Sequence, residues 1–217
     1  MNRPATVFSL FLFLALAPVA FGQTRTPVKG KMTTADSIKA KDYYVELRGY
    51  VRQLKGTENE KANEIKPLDS VLITIYNGDI PFSELWTNKK GKCDFKLPLD
   101  KNFRIDISRK GFVTKSILVS TKVPNDQKDI FNFSFDVDLF EEVNGLDVSV
   151  LKNPIAKVSY NLAMEGFAYD VTYTSKINAD LKKMYKNYYR LQKIAADTSL
   201  NQTDSVQTQT QQSPKRK

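Results

Sequence analysis

Acidic side chains are the only residues of this chain whose types and spacing could support acid–base chemistry. Asp136 and Asp138 lie two positions apart, and Glu141 and Glu142 follow closely. On one face of a strand the two aspartates would stand about 7 Å apart, given a rise of about 3.3 Å per residue. Two such carboxylates could also bind calcium, but no glycine-containing calcium loop surrounds them. We therefore expect them on the solvated face of a strand.

The sequence contains no histidine. This excludes Ser–His and Cys–His nucleophile pairs, histidine general bases and most zinc or iron sites. The single cysteine, Cys93, alternates with apolar residues and is expected in the core, where a thiol is unreactive. We therefore predict that the protein is not an enzyme and uses neither a metal nor a cofactor.

Aromatic residues suggest a second kind of chemistry, which is carbohydrate binding. Trp86, Tyr43, Tyr44, Tyr50 and Tyr76 could form a platform for sugar rings. Strands also favour aromatic residues for packing, so core positions are the other interpretation. Glycan binding is therefore the alternative function.

The first 22 residues have the pattern of a signal peptide. Arg3 supplies a positive charge, Val7 to Val19 is almost wholly apolar, and small residues precede Gln23. We predict cleavage after Gly22 and a polar linker over 23–40. An uncleaved anchor is the alternative, although a membrane span needs roughly 20 apolar residues. An exported chain without disulfides fits a bacterial periplasm or cell surface better than an animal secretion.

The formal net charge is +9. Because an exported protein does not meet nucleic acid, this charge indicates anionic lipid headgroups, acidic glycans or an acidic protein as partners, or serves solubility alone.

Alternation of apolar and polar residues predicts a series of strands. The longest, Ile130 to Phe140, places five large apolar side chains on one face, and a second sheet must cover them. Asn144-Gly145 and the alternating Leu146 to Val150 predict a return strand, so 130–151 is expected to be a β-hairpin. The other predicted strands are 43–51, 70–76, 82–87, 92–97, 103–108 and 116–120.

A helix over 174–196 follows, with Thr174 or Ser175 as its cap. Its apolar residues have heptad-like spacing, and three uses remain open: packing on the sandwich, binding a partner chain, or lying on a membrane. The residues expected to bind a partner are Ile177, Leu181, Met184, Tyr185, Tyr188 and Leu191. The remaining surface carries Lys176, Lys182, Lys183, Lys186, Arg190 and Lys193. The polar tail, 197–217, is expected to be disordered.

Residues 43–121 resemble a carboxypeptidase-regulatory-like domain, a small transthyretin-like β-sandwich. The resemblance rests on Gly49-Tyr50-Val51, the turn Asn88 to Gly91, Leu97-Pro98 and Lys110-Gly111-Phe112. It implies a non-catalytic accessory, adhesive or scaffolding module. The second half resembles extensions in envelope proteins of Gram-negative bacteria that have the type IX secretion system and gliding machinery.

We therefore predict a mainly β protein, a small antiparallel β-sandwich with an added β-hairpin and a C-terminal α-helix. The expected units are the sandwich over 41–122, the hairpin extension over 123–173 and the basic helix. We expect an exported envelope module that docks on a protein partner, without nucleic acid, and that could contact a membrane surface through the helix.

Overall fold

The computed structural model describes residues 43–54 and 66–210. The predicted signal peptide, the linker and the last seven residues lie outside the described residues. Within the two described ranges the chain forms ten strands and one α-helix. They are β1 (Tyr44–Gln53), β2 (Lys66–Pro67), β3 (Leu72–Asn77), β4 (Ile80–Trp86), β5 (Lys92–Pro98), β6 (Asn102–Ser108), β7 (Lys115–Ser120), β8 (Phe131–Leu139), β9 (Ala156–Asn161), β10 (Gly166–Tyr169) and α1 (Val171–Thr210).

The strands form two sheets. In the first, β1 lies between β5, to which it is antiparallel, and β8, to which it is parallel, and β2 pairs with the end of β1. In the second, the order is β10-β9-β7-β6-β3-β4, with β7 and β9 parallel. The predicted fold class, a mainly β sandwich with a C-terminal helix, is confirmed. The two parallel pairings make both sheets mixed instead of purely antiparallel.

The predicted hairpin over 130–151 is wrong. β8 pairs along its whole length with β1, from Val45 opposite Phe131 to Gln53 opposite Leu139. After the Asn144-Gly145 turn, the expected return strand is an irregular segment followed by a short 3-10 helix, Ser149–Lys152. Joining the central strand β1 lets the apolar face of β8 pack on the opposite sheet, a cover that an isolated hairpin would lack. Residues 123–173 are therefore part of the sandwich and supply strands to both sheets.

Gly49 makes room for the packing between β1, β5 and β8. A Cβ atom at this position would lie 2.5 Å from the Cys93 sulfur and 2.6 Å from the Phe135 ring. Cys93 is buried, as predicted, and burial raises the pKa of its thiol to about 12. The glycine therefore allows an aromatic ring and a sulfur to meet over the centre of the sheet.

The Asn88 to Gly91 turn has two physical requirements for its end residues. Gly91 has a φ of +71°, and a Cβ there would collide with the Val51 carbonyl oxygen. The Asn88 side chain accepts hydrogen bonds from the backbone N–H groups of Lys90 at 2.8 Å and Lys92 at 3.2 Å. The Asn-x-x-Gly pattern thus fixes the turn into β5.

The helix α1 is longer than predicted and begins earlier. Asp170, and not Thr174 or Ser175, caps it, because the Asp170 carboxylate accepts a hydrogen bond from the Tyr173 N–H at 2.9 Å. The helix continues to Thr210, into the tail expected to be disordered. No glycine or proline interrupts residues 171–210, so the sequence contains no strong breaker over this length.

Replacing Gly49 with alanine should lower the free energy of unfolding by about 1–3 kcal/mol, because the added methyl group overpacks the contact with Cys93 and Phe135. Urea denaturation of the purified protein measures the change. Gly166→Ala is the matched control, since a Cβ there has its nearest neighbour at 3.6 Å. Equal stability of the two variants would contradict the proposed close packing.

Candidate functional site

Three members of the acidic cluster singled out in the sequence are held by side chains of β1. Arg52 Nε donates to the Asp138 carboxylate at 2.6 Å, and Arg52 lies 3.4 Å from Asp136. Gln53 donates to Glu141 at 2.8 Å. The expectation of a solvated face is wrong for Asp138, whose side chain is 2 % exposed, because Arg52 stands directly opposite it on β1. In the described part of the chain, no three potential metal ligands gather.

Lys115 joins this cluster from the other sheet. It is 1 % exposed, and its ammonium group donates to the backbone carbonyl of Asp138. Burial lowers the pKa of Lys115 to about 7; the Asp138 carboxylate opposes this shift, and the Arg52 cation adds to it. Burial and the Asp138 charge also raise the pKa of Tyr185, which approaches from α1. The cluster therefore connects both sheets and the helix.

An open cleft of about 620 Å³ lies over β6 and β7, beneath the segment 146–152. Arg104 on its floor donates to Asp106 at 3.2 Å and stacks on the Tyr76 ring at 4.3 Å. Burial raises the pKa of Asp106, and Arg104 partly opposes that shift. Sequence reasoning missed this cleft because it depends on residues 146–152 folding over the sheet as an irregular segment and a 3-10 helix, and not as a strand.

The six helix residues expected to bind a partner face the sandwich instead. Five of them are 1–7 % exposed, and Leu191 is half-buried. The Tyr188 ring lies 4.4 Å and the Tyr185 ring 5.5 Å from Phe140, which is fully buried after β8. Of the three open uses, the structure shows packing on the chain's own sandwich. Tyr189, which sequence reasoning left out, shares this buried face.

The aromatic residues considered for sugar binding are not brought together. Trp86 and Tyr43 are both exposed but lie at opposite ends of the sandwich. Tyr43 precedes the first residue of β1, whereas Trp86 is the last residue of β4, and β4 ends at the same end of the sandwich as β1. The other three, Tyr44, Tyr50 and Tyr76, each lie against a cationic side chain, at 4.4, 5.6 and 4.3 Å. These five residues therefore form no continuous platform.

Exposed apolar side chains gather at the end of the sandwich where β1 begins. Leu162 and Met164, in the turn between β9 and β10, are 64 % and 68 % exposed, and Tyr43 and Ile130 are about half exposed. The parallel strands β1 and β8 start side by side here, and the Phe131 ring lies 5.5 Å from Tyr160, which precedes the turn. We call Tyr43, Ile130, Leu162 and Met164 the apolar end.

The turn that carries Leu162 and Met164 is ordered by its own hydrogen bonds. The Asn161 side chain accepts from the backbone N–H groups of Ala163 at 3.0 Å and Met164 at 3.1 Å. Glu165 adopts a φ of +48°, which closes the turn into β10. Sequence reasoning missed the apolar end because its four members come from three distant segments.

No helix within the described ranges combines the length and apolarity needed to cross a membrane.

Comparisons with solved structures give distant likenesses. No family model and no curated protein matches the chain. Matching solved structures include the Bacillus anthracis TIE protein (18% identity, TM-score 0.32, 46% of this chain and 18% of that one). The minor pilin GBS52 of Streptococcus agalactiae matches at 11% identity and TM-score 0.32, over 46% of this chain and 45% of that one. The Klebsiella pneumoniae 5-hydroxyisourate hydrolase matches at 15% identity and TM-score 0.29, over 43% of this chain and 90% of that one.

The chain thus spans less than half the length of the first two structures. Pilins and a transthyretin-like hydrolase are among the matches, and at these identities and scores they carry no argument about function.

Replacing Lys115 with methionine should remove a rise of stability between pH 7 and pH 9.5. Burial lowers the pKa of Lys115 from 10.5 to about 7, so in this interval the unfolded chain binds a proton that the folded chain does not. The contribution of Lys115 to the free energy of unfolding therefore increases with pH, by up to about 1.4 kcal/mol per pH unit. The raised pKa of the buried Cys93 thiol acts in the opposite direction from about pH 9 upward, and equally in the unaltered protein and in Lys115→Met. Below pH 7 the lysine is protonated in both states, and its contribution no longer changes.

Urea denaturation at several pH values, with Lys115→Met compared to the unaltered protein, measures this difference. The exposed Lys110→Met is the control and should keep the slope. Parallel pH profiles for Lys115→Met and the unaltered protein would show that the buried amine does not lose its proton on folding.

Proposed function

We propose that this chain is a non-catalytic, exported module of the bacterial envelope that binds a protein partner through its apolar end. The observation that carries the proposal is the gathering of Tyr43, Ile130, Leu162 and Met164 at one end of the sandwich. Exposed apolar patches on a soluble domain mark interaction sites, and these four exposed side chains share one end of the sandwich. Methionine and tyrosine suit such a site, because both are enriched in the centres of protein interfaces.

The order of the 161–165 turn supports binding at little entropic cost. Asn161 already fixes the backbone that presents Leu162 and Met164, through the two hydrogen bonds to its side chain. A partner would then have to order only side-chain rotamers and not the loop.

The charges around the apolar end favour a protein over an anionic bilayer. The charged residues of the neighbouring segments 98–102, 121–130 and 161–165 are Asp100, Asp126, Asp129, Glu165, Lys101, Lys122 and Lys128. Lys128 pairs with Asp100 at 2.7 Å, which leaves three acids and two bases. This rim of mixed charge has no surplus of cations to attract anionic headgroups, and it forms a normal polar rim for a protein interface.

Export and family membership belong to the same proposal and rest on the sequence. The apolar run Val7 to Val19 with Arg3 before it supports a signal peptide. The resemblance over 43–121 to carboxypeptidase-regulatory-like domains is supported by the turn Asn88 to Gly91, which leads into a strand ending at Pro98 as the pattern requires. The partner would then belong to the envelope of a Gram-negative bacterium, for which the secretion or gliding machinery is our specific suggestion.

Crosslinking from the apolar end tests this proposal. A photo-crosslinking amino acid at position 162 of the full chain, activated in intact cells, should give one discrete adduct with an envelope protein. The same amino acid at position 86 is the control, because Trp86 is equally exposed but lies at the opposite end.

The captured protein, once purified, should bind the unaltered chain at least about tenfold more tightly than Met164→Asp, because a charge at a desolvated interface is costly. Adducts of equal yield from positions 162 and 86, or unchanged affinity of Met164→Asp, would contradict binding through the apolar end.

A further inference from the structure

The outward face of α1 carries a dense row of positive charge. Its six members are all exposed and lie between the second and seventh turns of the helix. We call them the basic stripe: Lys176, Lys182, Lys183, Lys186, Arg190 and Lys193. From the first to the last, the stripe is about 25 Å long at 1.5 Å per residue.

The stripe occupies one side of the helix. At about 100° per residue, its six members fall within an arc of about 120°. The buried residues of α1, from Thr174 to Tyr189, occupy another arc, and the two centres are about 150° apart. The sandwich therefore lies behind the helix and does not stand between the stripe and an approaching surface.

Little negative charge opposes the stripe. Between Ser175 and Lys193 the same arc contains no acidic residue, and its other positions are Ser175 and Ala179. Asp180 lies just beside it and pairs with Lys183 at 2.9 Å, in an exposed contact that solvent screens. The stripe thus keeps a large surplus of positive charge on one face.

We propose that the basic stripe binds the anionic headgroups of a lipid bilayer, with α1 lying along the membrane surface. Charge complementarity favours this occupant, because a row of cations along a straight helix can approach many headgroups of a flat surface at once. The apolar face of α1 is already buried against Phe140 and the sheets, so the contact is electrostatic, without insertion of the helix.

The composition of the stripe argues against a protein partner at this face. Protein interfaces are enriched in aromatic residues and depleted in lysine. Five of the six members are lysines, which act as flexible point charges without directional recognition, and no aromatic residue lies on the arc. This inference is independent of the apolar end, which lies where β8 begins, whereas α1 packs on Phe140 after the other end of β8.

Vesicle flotation of the mature full chain tests the proposal. The chain should bind vesicles of equal parts phosphatidylglycerol and phosphatidylcholine at low salt and should not bind pure phosphatidylcholine vesicles. High salt should release it from the anionic vesicles, because the Debye screening length is then short. The triple variant Lys182→Glu, Lys186→Glu, Lys193→Glu should bind the anionic vesicles at least about tenfold more weakly.

The control for total charge is Lys89→Glu, Lys90→Glu, Lys110→Glu, which changes the net charge equally at exposed positions outside α1. It should keep most of the vesicle binding, and unchanged thermal melting should confirm that both variants fold. Equal losses in the two triple variants, or no binding of the unaltered chain to anionic vesicles, would overturn the proposal. Stripe-dependent binding to heparin or polyglutamate with none to vesicles would overturn it in favour of a soluble polyanion.

Discussion

The parallel register between β8 and β1 is the constraint on which the rest of this structure depends. One alignment places Phe135 opposite Gly49, the position with room for its ring, and Asp138 opposite Arg52, which pairs with it. A slip by one residue would exchange the two faces of β8 and turn its aspartates toward the core. Packing and charge therefore select the same register.

That register also determines where the helix can dock. It brings Asp138 and Phe140 to one end of the sandwich. There Lys115 donates a hydrogen bond to the Asp138 backbone carbonyl, and the tyrosines of α1 cover Phe140. Burying the Asp138 carboxylate is costly, and its salt bridge to Arg52 offsets part of that cost. Because the apolar face of α1 is used internally, the surfaces that we propose for partners are its basic stripe and the apolar end of the sandwich.

Sequence patterns predicted which face of a strand or helix is buried better than they predicted which element it packs against. Alternation correctly marked the inward side chains of β8 but contained nothing about which strand it joins, and the three alternating residues from Leu146 to Val150 were too few to define a strand. Likewise, the apolar seam of α1 is real, but such a seam fits a sheet as well as a partner helix. Asp138 was expected in solvent because its counter-ion, Arg52, becomes adjacent only through the β1–β8 register. The apolar end could not be predicted at all, since folding alone brings Tyr43, Ile130 and the 161–165 turn to one place.

If the β1–β8 register determines where α1 docks, the packed part of α1 and β8 form one cooperative unit, and native-state hydrogen exchange tests this central claim most directly. Amide groups of residues 177–189 and of β8 should open with the same free energy and the same dependence on denaturant, because neither can leave without exposing Phe140. If the helix amides instead exchange with a lower opening free energy while β8 remains protected, the helix is an independent attachment, and the claim of one cooperative unit is wrong.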